Sequence, residues 1–155
     1  MKGPDEIGQL YVIGQNILLV VFVGVLFLAP NKLLFESPML RIAGNIGCAA
    51  GIVLILSSVI VLRRVIQIAP QPKVGGELIQ TGLYRYLRHP IYTGMICCVA
   101  GLFLRTPTLW IGAASLAVIV FLFFKARFEE KLLLVAYPDY QIYRRRTSGL
   151  FPGLR

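Results

Sequence analysis

The chain has 155 residues with one histidine, three cysteines and seven acidic residues, and each scarcity excludes a class of protein. Cys48, Cys97 and Cys98 all sit inside apolar runs. An odd number of thiols in such places does not make a disulfide framework. With His89 as the lone histidine and the cysteines scattered, a zinc site lacks ligands, so no metal is expected. There is no internal repeat and no low-complexity segment. The shortage of acid against sixteen lysines and arginines leaves a net charge of +9, which taken alone would suit nucleic acid. The basic residues, however, flank hydrophobic stretches in a chain that is 57% hydrophobic, above the level of a soluble domain. Anionic headgroups and membrane topology explain them better, so membrane lipids rather than nucleic acid are the expected partners.

What the chain does have is long apolar runs. The first, Leu10 to Ala29, is twenty residues long. At ~1.5 Å per residue it reaches roughly 30 Å, the thickness of one hydrocarbon core. The preceding "MKGPDE" mixes acid with base and no small-residue cleavage pattern follows, which favours a span over a signal peptide. Gln15 and Asn16 within it are expected to face other helices rather than lipid. The second run, Ile42 to Leu62, has a small-residue side (Gly44, Gly47, Ala50, Gly51) suited to close helix packing. Prolines and glycines then exclude one continuous helix through "QIAPQPKVGGELIQTGLYRYLRHP", and its charges exclude a span, which leaves a long ordered loop. Ile91 to Leu104 and Thr108 to Phe124 read as a helical hairpin, the second arm continuing out of the membrane to near Pro138. The basic, aromatic tail suits lying on headgroups.

The expected architecture is therefore a single all-α, polytopic membrane domain over residues 1–155. It has four transmembrane helices, a C-terminal helical hairpin, and a cofactor-binding loop and tail. Four spans place thirteen of the sixteen basic residues on one side, which the positive-inside rule makes the cytoplasmic one.

Two segments concentrate polar chemistry on that side. In "TGLYRYLRHPIYTG", residues 81–94, Pro90 fits the first turn of a helix, whose free amides favour an anionic group. Arg88 and His89 reinforce that character, and Tyr84, Tyr86 and Tyr92 offer an aromatic wall. An interfacial tyrosine belt accounts for Tyr86 and Arg85, but not for a histidine fixed between an arginine and a proline. The second segment holds the adjacent acids Glu129 and Glu130. Helix-surface pairs, Lys125 with Glu129 and Arg127 with Glu130, are their ordinary explanation. Their functional one is a carboxylate that accepts from a diol or pairs with an ammonium. S-adenosylmethionine offers a carboxylate, an adenine, a ribose diol and an ammonium to such a pair of segments.

"GELIQTGLYRYLRHPIYTG", a short hairpin, "EEKLLLVAYPDYQIYRRRT" and a closing "FP" resemble the isoprenylcysteine carboxyl methyltransferase and phospholipid methyltransferase family over roughly residues 68–152. The distinctive feature is G-x-Y-x-x-x-R-H-P-x-Y-x-G followed about thirty-five residues later by E-E. The resemblance implies an integral membrane enzyme using S-adenosylmethionine, with a lipophilic small molecule or a lipid as methyl acceptor. Carried over by position, it implies cofactor contacts from Gly76, Leu78, Ile79, Tyr84, His89, Pro90, Tyr92, Glu129 and Glu130. Where the isoprenylcysteine branch has a substrate-binding arginine one turn before the acids, this chain has Lys125, with Arg127 nearby. Lys125 shares a helix face with Glu129 and is expected to hold the acceptor. Arg127, about 200° around the helix, is expected to meet lipid phosphate. Sterol-type reductases using NADPH share the tyrosine, His-Pro and glycine pattern but are typically longer and generally lack the acidic pair. A non-catalytic scaffold gives no reason for the two motifs to coincide.

Overall fold

Proline and hydroxyl residues set most of the helix starts. A computed structural model of the protein describes residues 4–30, 32–62 and 78–153. Its helices are α1 (Pro4–Leu28), α2 (Pro38–Leu62), α3 (Pro90–Arg105), α4 (Leu109–Ala136) and α5 (Tyr140–Arg146). Pro4, Pro38 and Pro90 each occupy a first turn, where the missing amide donor has no intrahelical partner to lose. Thr108 caps α4 by accepting from the Ile111 amide at 3.2 Å. Among the described residues there is no β-strand, only two isolated bridges.

Among the described residues three helices are long and apolar enough to cross a membrane: Glu6–Leu28 of α1, all of α2 and all of α4. Their outer faces expose Val20, Phe27, Ile46, Leu56, Leu116 and Phe124, as befits surfaces that meet hydrocarbon rather than water. The expected hairpin forms from α3 and α4. With its 16 residues, α3 is the short apolar helix of the set, about 24 Å long. Four transmembrane helices were expected with the third of them short; among the described residues three reach spanning length, and α3, bracketed by Pro90 and Pro107, is the short one.

Close approach holds α3 to α2. A methyl group on Gly44 would lie 2.5 Å from the Gly101 carbonyl oxygen, and one on Gly51 would lie 2.5 Å from that of Gly94. The small-residue side expected of α2 is therefore met by matching glycines on α3. Aromatic packing joins α1 to α4, where Tyr11 stacks on Phe128 with centroids 4.8 Å apart. Between α3 and α4, Ser115 Oγ donates to the Val99 carbonyl at 3.1 Å. Beside it lies the core of Phe22, Ile96, Val99, Ile111, Val118 and Leu122.

These contacts sort the two ends of the bundle. At one end the α1–α2 connection meets the α3–α4 turn, with the Leu34 amide donating to the Pro107 carbonyl at 2.7 Å. The opposite end gathers the start of α3, the last turns of α4, α5 and the tail. The tail, expected to lie on headgroups, is also packed into this end of the bundle. Tyr140 and Tyr143 are buried, and residues 147–150 run back beside residues 86–89. The physical reason is backbone accounting: the strip between the turn at 82–85 and α3 has amides that no helix satisfies. The Arg88 amide donates to Ser148 O at 2.9 Å, the Ser148 amide donates to Tyr86 O at 3.0 Å, and Thr93 Oγ1 donates to the Leu150 carbonyl.

Candidate active site

A tight turn delivers the first half of the site. Gly82 has a φ of 60°, a left-handed conformation that side chains disfavour, and it starts the 3-10 turn Gly82–Arg85. The chain then straightens through Leu87 and enters α3 at Pro90, which buries Arg88 and His89 at the helix mouth. The Arg88 guanidinium donates from Nε to Glu130 Oε1 at 2.7 Å, and from Nη1 to the carbonyls of Arg144 at 3.0 Å and Thr147 at 2.5 Å. One buried cation thus ties α3, α4, α5 and the tail together. Arg144 Nε adds a second positive contact to Glu130, 3.4 Å from Oε2.

The two acids divide the site. Glu130 belongs to the arginine side, whereas Glu129 belongs to a tyrosine–lysine side. The Tyr92 hydroxyl donates to Glu129 Oε1 at 2.6 Å, and Lys125 Nζ stands 3.8 Å from the same oxygen. That ammonium also lies 5.2 Å over the Tyr92 ring and donates to Gln15 Oε1 of α1 at 2.6 Å. His89 sits between the halves, its ring parallel to Tyr92 with centroids 5.4 Å apart. Its Nδ1 is 3.8 Å from Glu129 Oε2 and its Nε2 is 3.5 Å from Glu130 Oε1. These are ion pairs only when the imidazole is protonated. Nε2 is buried and makes no hydrogen bond of normal length, since Glu130 Oε1 at 3.5 Å stands at the outer edge of range.

A cavity of about 260 Å³ opens on the Glu130 side. His89, Glu130, Arg127 and Arg144 supply its polar wall, and Phe123 and Phe151 are among its apolar residues. The volume falls just below the ~300–1,000 Å³ common for small-molecule sites. Behind it, burial raises the phenol pKa values of Tyr84, Tyr140 and Tyr143, the last to about 12. All three are neutral at physiological pH. Tyr143 uses its proton to donate to the Tyr84 carbonyl at 2.6 Å.

The structure brings His89, Tyr92, Lys125, Glu129 and Glu130 into one contact network. Pro90 is fully buried as the first residue of α3. Tyr84, Leu78 and Ile79 are half-buried on the approach to Arg88 and do not line the cavity. Gly76 lies outside the described residues. The expected Lys125–Glu129 pair is present, whereas Glu130 pairs with Arg88 and Arg144 in place of Arg127. Arg127 instead lies over the Phe123 ring at 4.8 Å and lines the cavity. Lys125, expected beside the acceptor, is 5% exposed and turns toward α1. Gln15, Arg144 and Thr147 joined the site without being named for it. Only Gln15 carried a signal, as an amide inside an apolar run. Among the described residues no group of three or more histidine, cysteine or acidic side chains is placed to hold a metal ion.

A family model described as phospholipid methyltransferase matches residues 39–140. The chain belongs to the phospholipid methyltransferase family. The matched residues run from the start of α2 to the start of α5, so α1 and the returning tail of this phospholipid methyltransferase family member lie outside them. Membership points to a membrane methyltransferase. The chain is also 38% identical over 80 residues to the nickel-cobalt-cadmium resistance protein NccN of Alcaligenes xylosoxydans, covering 50% of this chain and 37% of that protein. It is 35% identical over 79 residues to the cobalt-zinc-cadmium resistance protein CzcN of Cupriavidus metallidurans, covering 50% of this chain and 36% of that protein. The similarity thus spans little more than a third of the length of either relative. No solved structure matches the chain.

Proposed function

We propose that this protein transfers a methyl group from S-adenosylmethionine to a lipophilic acceptor held at the membrane face. The observation that carries this reading is His89, buried between two carboxylates with Nε2 unpartnered at a cavity wall. Leaving a buried polar atom unpaired costs about 1–3 kcal/mol, so a polar ligand group entering the cavity is favoured there. The residues around it fit the proposed cofactor and acceptor: carboxylates suit the cofactor's diol and ammonium, Arg144 suits its carboxylate, and Arg127 suits an anionic or polar acceptor. When bound, the cofactor supplies a sulfonium methyl for in-line displacement.

The chain's own contribution is positioning and exclusion of water. His89 orients the ligand at the cavity wall, and on the other side of the imidazole Tyr92 and Glu129, which do not line the cavity, meet the part of the ligand that extends past it. Glu130 keeps His89 and the arginines in register, while Phe123 and Phe151 dry the cavity. We place Arg127 rather than Lys125 on the acceptor side, because it stands at the cavity where α4 leaves its apolar stretch. We further place this end of the bundle in the cytoplasm, with α3 completing a four-span topology. Cysteines introduced at Ser148 and Thr106 should then label from opposite sides of the membrane; labelling from one side excludes that topology.

The decisive experiment uses detergent-solubilised protein. S-adenosylmethionine or its demethylated product should raise the melting temperature, and NADPH should not. His89→Ala should weaken cofactor affinity roughly ten- to a hundred-fold, as expected for ~1.5–3 kcal/mol of charge-assisted hydrogen bonding. Arg127→Met should leave that affinity unchanged and raise the acceptor's KM. Stabilisation by NADPH alone, or full affinity in His89→Ala, contradicts the reading.

A further inference from the structure

We propose that Gln15, in α1, is a positioning residue of this site: its amide oxygen fixes the Lys125 ammonium, which holds the Glu129 carboxylate and the Tyr92 ring in place for the cofactor. The proposal rests on Glu129 being a cofactor residue. It gives α1, which precedes the family-matched residues 39–140, a part in binding.

The geometry points this way because Lys125 has few alternatives among the described residues. Its side chain is 6% exposed, so solvent reaches little of a group with three donors to satisfy. Gln15 Oε1 at 2.6 Å is its hydrogen-bond partner, whereas Glu129 Oε1 at 3.8 Å is beyond hydrogen-bonding range. A buried ammonium that loses its partner must find another. The nearest is Glu129 Oε1, where the Tyr92 hydroxyl already donates at 2.6 Å. A Lys125 released by Gln15 either competes with Tyr92 for that oxygen or withdraws from the 5.2 Å contact over the Tyr92 ring. Each outcome moves Glu129 or Tyr92, and with Tyr92 the stacked His89.

Gln15 is not needed to hold α1 in place. Tyr11 packs on Phe121 and Phe128 one turn earlier, and Gly14 lies close against the Phe121 ring. Substituting Gln15 therefore removes one polar contact and keeps the aromatic seam.

The test compares wild type, Gln15→Met, Lys125→Met and the double variant. Calorimetric titration with demethylated S-adenosylmethionine measures affinity, and thermal unfolding without ligand measures stability. Gln15→Met should weaken affinity about tenfold with a melting temperature close to wild type. The double variant should bind no more weakly than Lys125→Met alone, because Gln15 acts through the lysine. Gln15→Glu, which keeps an oxygen facing the ammonium, should bind within about threefold of wild type. If Gln15→Met does not fold, Gln15→Asn, one methylene short of the ammonium, should show the loss instead. Unchanged affinity in the folded variant, or additive losses in the double variant, overturns the proposal. Wild-type protein that fails to bind the ligand overturns the cofactor reading and this proposal with it.

Discussion

Arg88→Met should lower the melting temperature by about 10 °C or more and detach the tail from the site. The Arg88 side chain is 4% exposed and its guanidinium reaches Glu130 and the carbonyls of Arg144 and Thr147. Removing it leaves two carbonyls without a donor. The Glu130 carboxylate keeps only His89 and Arg144, and the Arg144 side chain is 47% exposed. Breaking a buried pair from one side typically costs ~3–5 kcal/mol, because the remaining charge is stranded. Arg88→Met/Glu130→Met should cost less than the sum of its single changes, since neither charge is then left alone. Limited proteolysis should cut Arg88→Met beyond Thr147 under conditions that spare wild type. A melting temperature within about 2 °C of wild type would show that Arg88 does not tie these elements together.

Gly51→Leu should abolish the folded protein or lower its yield severely. A Cβ at Gly51 would meet the Gly94 carbonyl oxygen at 2.5 Å and Cys98 Sγ at 2.6 Å, and one at Gly94 would meet the Gly51 carbonyl oxygen at 2.7 Å. Backbone oxygens cannot step aside as a side-chain tip can, so α2 and α3 must separate along their length. Overpacking commonly costs ~1–3 kcal/mol, and a clash of backbone on backbone belongs at or above the top of that range. The damage reaches the site because α3 carries His89 at its mouth and Tyr92 in its first turn. Gly24→Leu is the matched control: nothing lies within 4 Å of its Cβ position, and its effect should stay within about 0.5 kcal/mol. Equal yields and melting temperatures for the two variants would mean that α2 and α3 are not held by these glycines.

The Arg88 expectation turns on contacts that sequence periodicity does not record, and the Gly51 expectation on which helix meets a small-residue side that the sequence does show. Local chemistry already determined a good deal. Apolar run lengths marked α1, α2 and α4, and Pro90 marked the start of α3. The small-residue side of α2 announced a close neighbour. A helical hairpin between the RHP segment and the acidic pair was enough to bring the two together, because a hairpin returns the chain to the end it left.

Tertiary structure alone decided how the site is divided. Glu129 and Glu130 are consecutive, so they point about 100° apart on α4, and only the packing of α3, α5 and α1 around that helix assigns each its partners. Two such steps, about 200°, separate Lys125, turned to Gln15 on α1, from Arg127, turned to the cavity. The returning tail left no trace in the sequence either. Its hold on Arg88 runs through backbone carbonyls, which every residue has, and spans 59 residues between Arg88 and Thr147. Helix periods and caps are written in side chains a few positions apart. A hydrogen bond to a distant main-chain oxygen is written in no side chain on the accepting strand, so it exists only once the chain has folded.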